Sequence, residues 1–451
     1  MNIEMLDTHT TIIAPATAAG GAVMVIRLSG AEAITIADRL FRGKQRLCDA
    51  DGYTLHYGNI VEQDGSFLDD VVVALFRAPR SYTGDDTVEI TIHGSQYIAS
   101  RVMQLAVNYG ARIATAGEFT RRAFLAGKLD LSRAEAVADI IASDSKLSHR
   151  VASTQMRGDY AKHLSTLRSE LIKLCSLLEL ELDFSEEDVE FANREMLENM
   201  LINIGRQIDS LTSSFALGNA IKEGVAVAIV GEPNVGKSTL LNRLIEEDRA
   251  MVSDIAGTTR DTIEATRIID GIRFRFIDTA GMHATSDELE QMGIERTLRA
   301  IDNAHIVLHV TSAEQPRFEE INIGEEQTYI RIVNKADKLS SAPIEVEDEM
   351  LYISAKENSN IDSLIDRMRA AIPDVTMCGD DVVVTNARHY DALQHASEAL
   401  SMALGALRSN ISSDLLAEDI RQTLHHLGEI TGEVTSDDIL QSIFSKFCIG
   451  K

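Results

Sequence analysis

The chain has 451 residues, 45% hydrophobic and 25% charged, and a formal net charge of −27 at pH 7. That length suggests about three domains, and the apolar content is enough for several cores. The charge excludes a basic nucleic-acid footprint spread over the whole molecule, so contact with a nucleic acid needs a local patch or a partner that brings the positive charge.

Residues 1–125 read as a small α+β domain. Runs at 22–28, 53–60, 70–76 and 87–92 are β-like, and 95–107 and 118–125 have helical spacing. A small-residue turn at 17–21 precedes the first strong strand. From Asp130 the pattern becomes helical and amphipathic: 131–141 with Ser132 as N-cap, then 145–184 and 193–217. The acidic stretch 185–190 between the last two reads as a solvated loop rather than a metal site. Residues 218–224 read as a linker into a further domain that runs to about 373. Helices return at 387–407, 415–427 and 436–447. Helices on both sides suggest one bundle into which that domain is inserted, with both linkers close together. The expected division is 1–125, then 126–220 plus 376–451, with 221–375 as the insertion. Long amphipathic faces also suggest a homodimer, and the apolar tail 447–451 is expected to dock. The four cysteines show no C-x-x-C, which points to reduced thiols in the cytosol. There is no secretory signal pattern, and no run approaches the roughly 20 apolar residues of a membrane span.

The chemistry centres on Gly231-Glu-Pro-Asn-Val-Gly-Lys-Ser238, which fits the phosphate-binding loop pattern. A β-rich run precedes it and a helical pattern from Thr239 follows it, which is the required setting. Backbone N–H groups of Asn234, Val235, Gly236 and their neighbours, with the helix N-terminus, can surround an anion. Lys237 reaches the β- and γ-phosphates, and Ser238 ligates Mg²⁺. An apolar strand then ends at Asp278-Thr279-Ala280-Gly281, where the Asp can hold Mg²⁺ through water and the Gly N–H can sense the γ-phosphate. A third strand leads into Asn334-Lys335-Ala336-Asp337. One carboxylate accepts both the ring N–H and the amino group of guanine, a donor pair that adenine lacks. Ser354-Ala355-Lys356 suits a loop closing over the base. Each motif ends a strand, where an open α/β sheet holds its ligand. Together they predict a Ras-like, GTP-binding P-loop domain.

Position 282, where some GTPases carry a water-orienting Gln, is Met282. Candidate replacements are Asp287, Glu288 and Glu290. The stretch from Ser253 through Asp254, Ile255, Ala256, Gly257, Thr258 and Thr259 can close over the phosphates, with Thr hydroxyls for Mg²⁺ or water. Asn234 offers a neutral oxygen beside the β/γ bridge. It can serve a monovalent cation or simply stabilise the turn.

Three stretches give the chain a resemblance to the bacterial tRNA-modification GTPases of the MnmE (TrmE) family, and the resemblance covers its whole length. They are residues 116–139, the closing stretch Asp254-Ile-Ala-Gly-Thr-Thr-Arg-Asp261, and Cys448-Ile-Gly-Lys451. The resemblance implies K⁺-dependent GTP hydrolysis and work with the flavoprotein MnmG in a heterotetramer. Together they add an aminomethyl or carboxymethylaminomethyl group at C5 of the wobble uridine (position 34) of certain tRNAs, which are bound mostly through the partner. It implies an N-terminal domain that dimerises and binds 5-formyltetrahydrofolate, with Arg27, Glu89, Lys128 and Lys451 at folate-contacting positions. It implies Mg²⁺ on Ser238 and Thr259, and K⁺ on Asn234, Thr258 and the main chain of Ser253 and Ile255. Glu290 is then the carboxylate that orients the catalytic water. Two positions depart from the family: Ala18 and Ala19 follow Thr17 where a Pro pair and an Arg-bearing turn are usual, and His283 replaces a common Arg. Cys448 is placed like a catalytic thiol or a docked tail residue. The competing expectation is a ribosome-assembly or RNA-binding GTPase switch, which predicts a basic RNA-binding module that the composition does not display. A cytoplasmic, membrane-free protein is expected in either case.

Overall fold

The computed structural model describes residues 10–183, 194–246, 264–278, 298–324, 327–339, 350–372, 382–409, 411 and 413–450. They divide into two compact units: Met1–Ala138 with Gln155–Glu170 and Leu424–Lys451, and Asp139–Thr154 with Leu171–Thr423.

The first unit is built on a seven-stranded sheet. Its strands are β1 (Ile12–Pro15), β2 (Val23–Ser29), β3 (Phe41–Gly43), β4 (Thr54–Val61), β5 (Phe67–Phe76), β6 (Thr87–His93) and β7 (Arg112–Ile113). They run in the order β3-β4-β5-β6-β2-β1-β7, antiparallel except for the β1–β7 pair. Alternation along β2, β5 and β6 sends Ile26, Leu28, Val71, Val73, Val88 and Ile90 to one face. The helices Ala33–Leu40 and Gln96–Asn108 cover that face. Burying such side chains contributes about 1.5–3 kcal/mol each. The other face carries Arg27 opposite Glu89 and a half-buried Val25 opposite Thr91. The helix Ala33–Leu40 and the short strands β1, β3 and β7 lie outside the sequence expectation. Ala33–Leu40 mixes Ile and Thr into a helical pattern, which masks its period.

Ser132 does not cap the helix Leu131–Ala142 as its position suggests. The carboxylate of Asp130 does so, accepting from the Arg133 N–H (2.9 Å) and from the Ser132 hydroxyl (2.6 Å). A charged acceptor is the stronger cap, and the serine hydroxyl turns to it as donor. The expected single helix over 145–184 is broken at Gly158, whose φ of +90° suits glycine, into Lys146–Arg157 and Asp159–Asp183.

The second unit holds a six-stranded sheet: β8 (Val225–Val230), β9 (Glu264–Ile269), β10 (Ile272–Asp278), β11 (Ile306–Ser312), β12 (Thr328–Asn334) and β13 (Met350–Tyr352). The order is β13-β12-β11-β8-β10-β9, parallel except for β9. All six residues of β8 are buried because both faces are covered. Val225, Val227 and Ile229 join one core with Leu240 and Leu244, while Ala228 and Val230 join another with Ala300 and Ile301. The chain leaves β8 towards β9 and β10 on one side, then crosses to β11 on the other. The end of β8 is therefore the topological switch point.

Helices flank this sheet in sequence. Arg194–Ser213 packs antiparallel to Ala387–Arg408, with Ser397 donating to Asp209 (2.9 Å) and Arg408 paired with Glu198 (2.7 Å). The segment 218–224 is mostly helix, Phe215–Glu223, rather than an open linker. It runs beside the returning chain: Ser214 accepts from the Val384 N–H at 3.0 Å, and a Cβ on Gly218 would lie 2.0 Å from the Val384 carbonyl oxygen. Among the described residues, no helix is long and apolar enough to cross a membrane.

Candidate functional site

The phosphate loop leaves β8 at the switch point and enters the helix Lys237–Glu246. Two glycines make its path possible. Gly231, at φ +140°, passes so close to β11 that a Cβ would sit 2.0 Å from the Val310 carbonyl oxygen. Gly236, at φ +99°, would place a Cβ 2.4 Å from Nδ2 of Asn334. Asn234 is itself left-handed, at φ +61°. The Lys237 ammonium donates to the carbonyls of Gly231 (2.6 Å) and Glu232 (2.8 Å), which holds the charge at the mouth of the loop. Val235 is buried, and Ser238 and Thr239 are exposed in the first helical turn.

Asn334, 3% exposed at the end of β12, ties this loop to the Ser354–Lys356 stretch, where a loop over the base is expected. Its Nδ2 donates to the Val235 carbonyl (2.9 Å), and its Oδ1 accepts from the Ala355 N–H (3.0 Å). Lys335 adds a bond from its ammonium to the Asn234 carbonyl (2.7 Å). Ala336 is buried, and Asp337 stands exposed beyond it. Ser354 donates to Oδ1 of Asp337 at 2.6 Å, and this bond holds the carboxyl below the usual carboxylate range against the opposing effect of burial, with help from the nearby Lys356. The result is a fixed, ionised acceptor beside a phosphate cradle. The arrangement can bind a purine nucleotide whose base edge carries two donors.

The sequence did not point to Arg243. From the helix after the phosphate loop, it donates to the carbonyls of Ala355 and Lys356, both at 3.3 Å. Its partners lie 112 and 113 residues away, so no local pattern announces it. Asp278 ends β10, its backbone in register with Ile229 of β8. Its side chain, the closing stretch with Ser253, Asp254, Ile255, Ala256, Gly257, Thr258 and Thr259, and the segment with Thr279, Ala280, Gly281 and Glu290 lie outside the described residues. The acidic stretch 185–190 and Lys451 lie outside them as well.

A second cluster forms in the first unit. Arg27 and Glu89, opposite one another on β2 and β6, make an ion pair at 2.8 Å. The same guanidinium donates to the Gly450 carbonyl (3.2 Å) and lies 5.6 Å from the ring centres of both Tyr82 and Phe119. The tail therefore docks. Ile449 bridges to Ala116, the Gly117 N–H reaches the Cys448 carbonyl (3.4 Å), and Gly450 passes where a Cβ would meet the Pro15 carbonyl oxygen at 1.9 Å. The Cys448 side chain stays exposed. Lys128 donates to the Pro79 carbonyl (2.5 Å), at the start of the loop that carries Tyr82. Tyr82, Phe119 and Gly450 are additions the sequence did not single out, because each contributes through long-range packing.

Comparison with known proteins covers both units. Residues 11–128 match the model of the GTP-binding protein TrmE N-terminus, and residues 131–448 match the model of the MnmE helical domain. The tRNA modification GTPase MnmE of Bacteroides fragilis is 50% identical, over 98% of this chain and 99% of that protein. The protein of the same name from Flavobacterium johnsoniae is 46% identical over the same shares. Among solved structures, a variant of Aquifex aeolicus Era bound to GDP and aluminium fluoride is 29% identical, over 39% of this chain and 66% of that one, with a TM-score of 0.26. Identity sustained from the first sheet through the phosphate loop to the docked tail settles the kinship, and the chain belongs to the MnmE (TrmE) family of tRNA modification GTPases.

Proposed function

We propose that this chain is a K⁺-dependent GTPase of tRNA wobble-uridine modification, acting as a homodimer with a flavoprotein of the MnmG type in the cytoplasm. The reading rests on one observation above all: in a chain of this family, Asn334 joins the phosphate loop to the Asp337–Ser354 pair, which suits guanine. Asp337 accepts the two guanine donors, and Lys237 neutralises the β- and γ-phosphates. The hydroxyl oxygens of Ser238 and Thr259 are the hard ligands that Mg²⁺ requires, and the ion supplies charge neutralisation at the phosphates. Asn234, Thr258 and the carbonyls of Ser253 and Ile255 form an all-oxygen set for K⁺, and Glu290 holds the attacking water. In the first unit, Arg27, Glu89, Lys128 and Lys451 are proposed to hold 5-formyltetrahydrofolate. The pairing of Arg27 with Glu89 makes that cluster a combined donor and acceptor, suited to a ligand carrying both. The proposed domains are 1–125, 126–220 with 376–451, and 221–375.

The test is GTP hydrolysis in matched KCl and NaCl at constant ionic strength with excess Mg²⁺. Strong stimulation by K⁺, lost in Asn234→Ala, is expected. Equal, slow rates in both salts would overturn the K⁺ mechanism. Glu290→Ala is expected to slow hydrolysis while GTP affinity holds, and an unchanged rate would assign the water to another group.

A further inference from the structure

The chain is strongly acidic overall, so a place where cations gather without acids stands out. Residues 39–46 carry Arg39, Arg42, Lys44 and Arg46 and no carboxylate. They form the end of the helix Ala33–Leu40, the edge strand β3 and the turn after it, and all four side chains are exposed. Together with Tyr109 and one acid, Asp38, they line one open cleft of about 570 Å³.

The partners of these cations matter more than their number. Arg46 is committed: its guanidinium pairs with the buried Asp38 at 2.6 Å, and the other oxygen of Asp38 accepts from the Leu47 N–H. The other three differ. Arg42 donates to the backbone carbonyls of Phe41 (2.8 Å) and Arg39 (3.2 Å), which fixes the side chain while leaving its charge uncompensated. Arg39 lies over the Tyr109 ring, 5.5 Å from its centre. No carboxylate among the described residues lies within ion-pair distance of Arg39, Arg42 or Lys44. Elsewhere in the first unit the clustered cations are engaged, Arg112 and Arg122 with Glu118, and Arg121 with Asp437. Charged residues on a short edge strand are a common guard against edge pairing. That role accounts for Arg42 and Lys44. It does not account for Arg39, which sits on the helix and faces the same cleft.

We propose that this cleft is the surface through which the chain itself grips the phosphodiester backbone of its tRNA. The proposal rests on the reading above that a tRNA is the substrate. Three uncompensated cations around a concave surface, one presented by an aromatic ring and one braced by backbone carbonyls, suit a run of adjacent phosphates. Contacts of this kind position a nucleic acid without reading its sequence. They also meet one of the two conditions that the −27 charge leaves open, a local basic patch rather than a partner's charge.

The test compares the full-length chain with Arg39→Gln/Arg42→Gln/Lys44→Gln, leaving Arg46 in place because its loss would strand the buried Asp38 carboxylate. A control of equal charge loss takes three exposed cations elsewhere, Lys162→Gln/Arg408→Gln/Arg421→Gln. The affinity of an unmodified tRNA transcript is measured against salt concentration, with thermal melting as the check on folding. The cleft variant is expected to lose about 10-fold or more in affinity at low salt and to flatten the log–log salt slope by roughly 2 to 3, while the control keeps nearly the wild-type slope. A cleft variant that melts normally and binds tRNA as wild type would overturn the proposal and leave these charges as edge guards. Loss of affinity for the flavoprotein partner with tRNA affinity intact would overturn it too, by making the cleft a protein-docking surface. Wobble-uridine modification by wild type with its partner is assayed separately. Its absence alongside cleft-dependent tRNA binding would break the functional reading and spare the cleft, and its presence with cleft-independent binding would do the reverse.

Discussion

In the parallel sheet of β8 and β10–β13 a core lies on each face, and the motifs suited to a nucleotide follow strand carboxyl ends. In the mixed sheet of β1–β7 the main core lies on one face, and Arg27 and Glu89 sit in the middle of their strands on the other, where Phe119 and the tail cover only part of it. The first arrangement works through loops and backbone amides, whose conformations demand particular residues. The second works through side chains whose partners come from distant parts of the chain. The first therefore leaves motifs in the sequence and the second leaves almost none.

Four perturbations test that contrast, from the largest expected effect to the smallest. Gly236→Ala needs a left-handed φ and puts a methyl group against Asn334, so nucleotide affinity should fall by about 100-fold or more, near 2.7 kcal/mol. Retained affinity in a fluorescent-nucleotide titration would show that the backbone path is not what binds. Asp337→Asn should cost GTP about 100-fold and favour xanthosine triphosphate, because a buried base edge is left mispaired; an unchanged preference would remove Asp337 from base recognition. In the first unit, deleting residues 448–451 removes the carbonyl that Arg27 reaches and the strand bridge to Ala116. Folate affinity should then drop by about 10-fold with GTP affinity unaffected. Equal folate affinity would show that the tail docks without serving the ligand. Arg243→Ala should weaken GTP binding by only about 3- to 5-fold, since its bonds to Ala355 and Lys356 are long and indirect.

The contrast extends to pH. The Ser354 hydrogen bond lowers the carboxyl pKa of Asp337, so the acceptor charge is present above that lowered value and is lost only as pH falls through it. Ser354→Ala should raise that pKa, so that GTP affinity begins to decline at a higher pH on acidification. Superimposable wild-type and variant pH profiles would show that the serine does not set the charge.

Legibility in the sequence follows the same division. The phosphate loop and the Asn334–Asp337 and Ser354–Lys356 stretches could be placed at strand ends because each motif is local and its flanks are strongly periodic. The strands β2, β4, β5 and β6 were readable within a few residues, since one buried face imposes alternation. The helix Ala33–Leu40 was not, because its β-branched residues disguise the period. The cap of Leu131–Ala142 was misplaced by two residues, because a serine and an aspartate both suit that site and only the folded geometry shows which accepts. Arg243 and Tyr82 were invisible for a common reason: their partners are far away in sequence, and nothing near them marks the meeting. The cationic run 39–46 did not stand out in a chain of net charge −27. Its significance depends on which neighbours are ion-paired, which only the folded chain reveals.

The bond between Arg27 and Gly450 joins positions separated by 423 residues. A ribosome adds about 5–20 residues per second, so roughly 20 to 85 s of synthesis separates the two halves of this contact. The β2–β6 surface must wait through that interval with its arginine uncapped, while the whole nucleotide-binding sheet emerges and has time to fold. Completion of the Arg27 cluster is therefore a late event in the making of the molecule, and a nascent chain stalled between β13 and the tail would carry both sheets and an unfinished cluster.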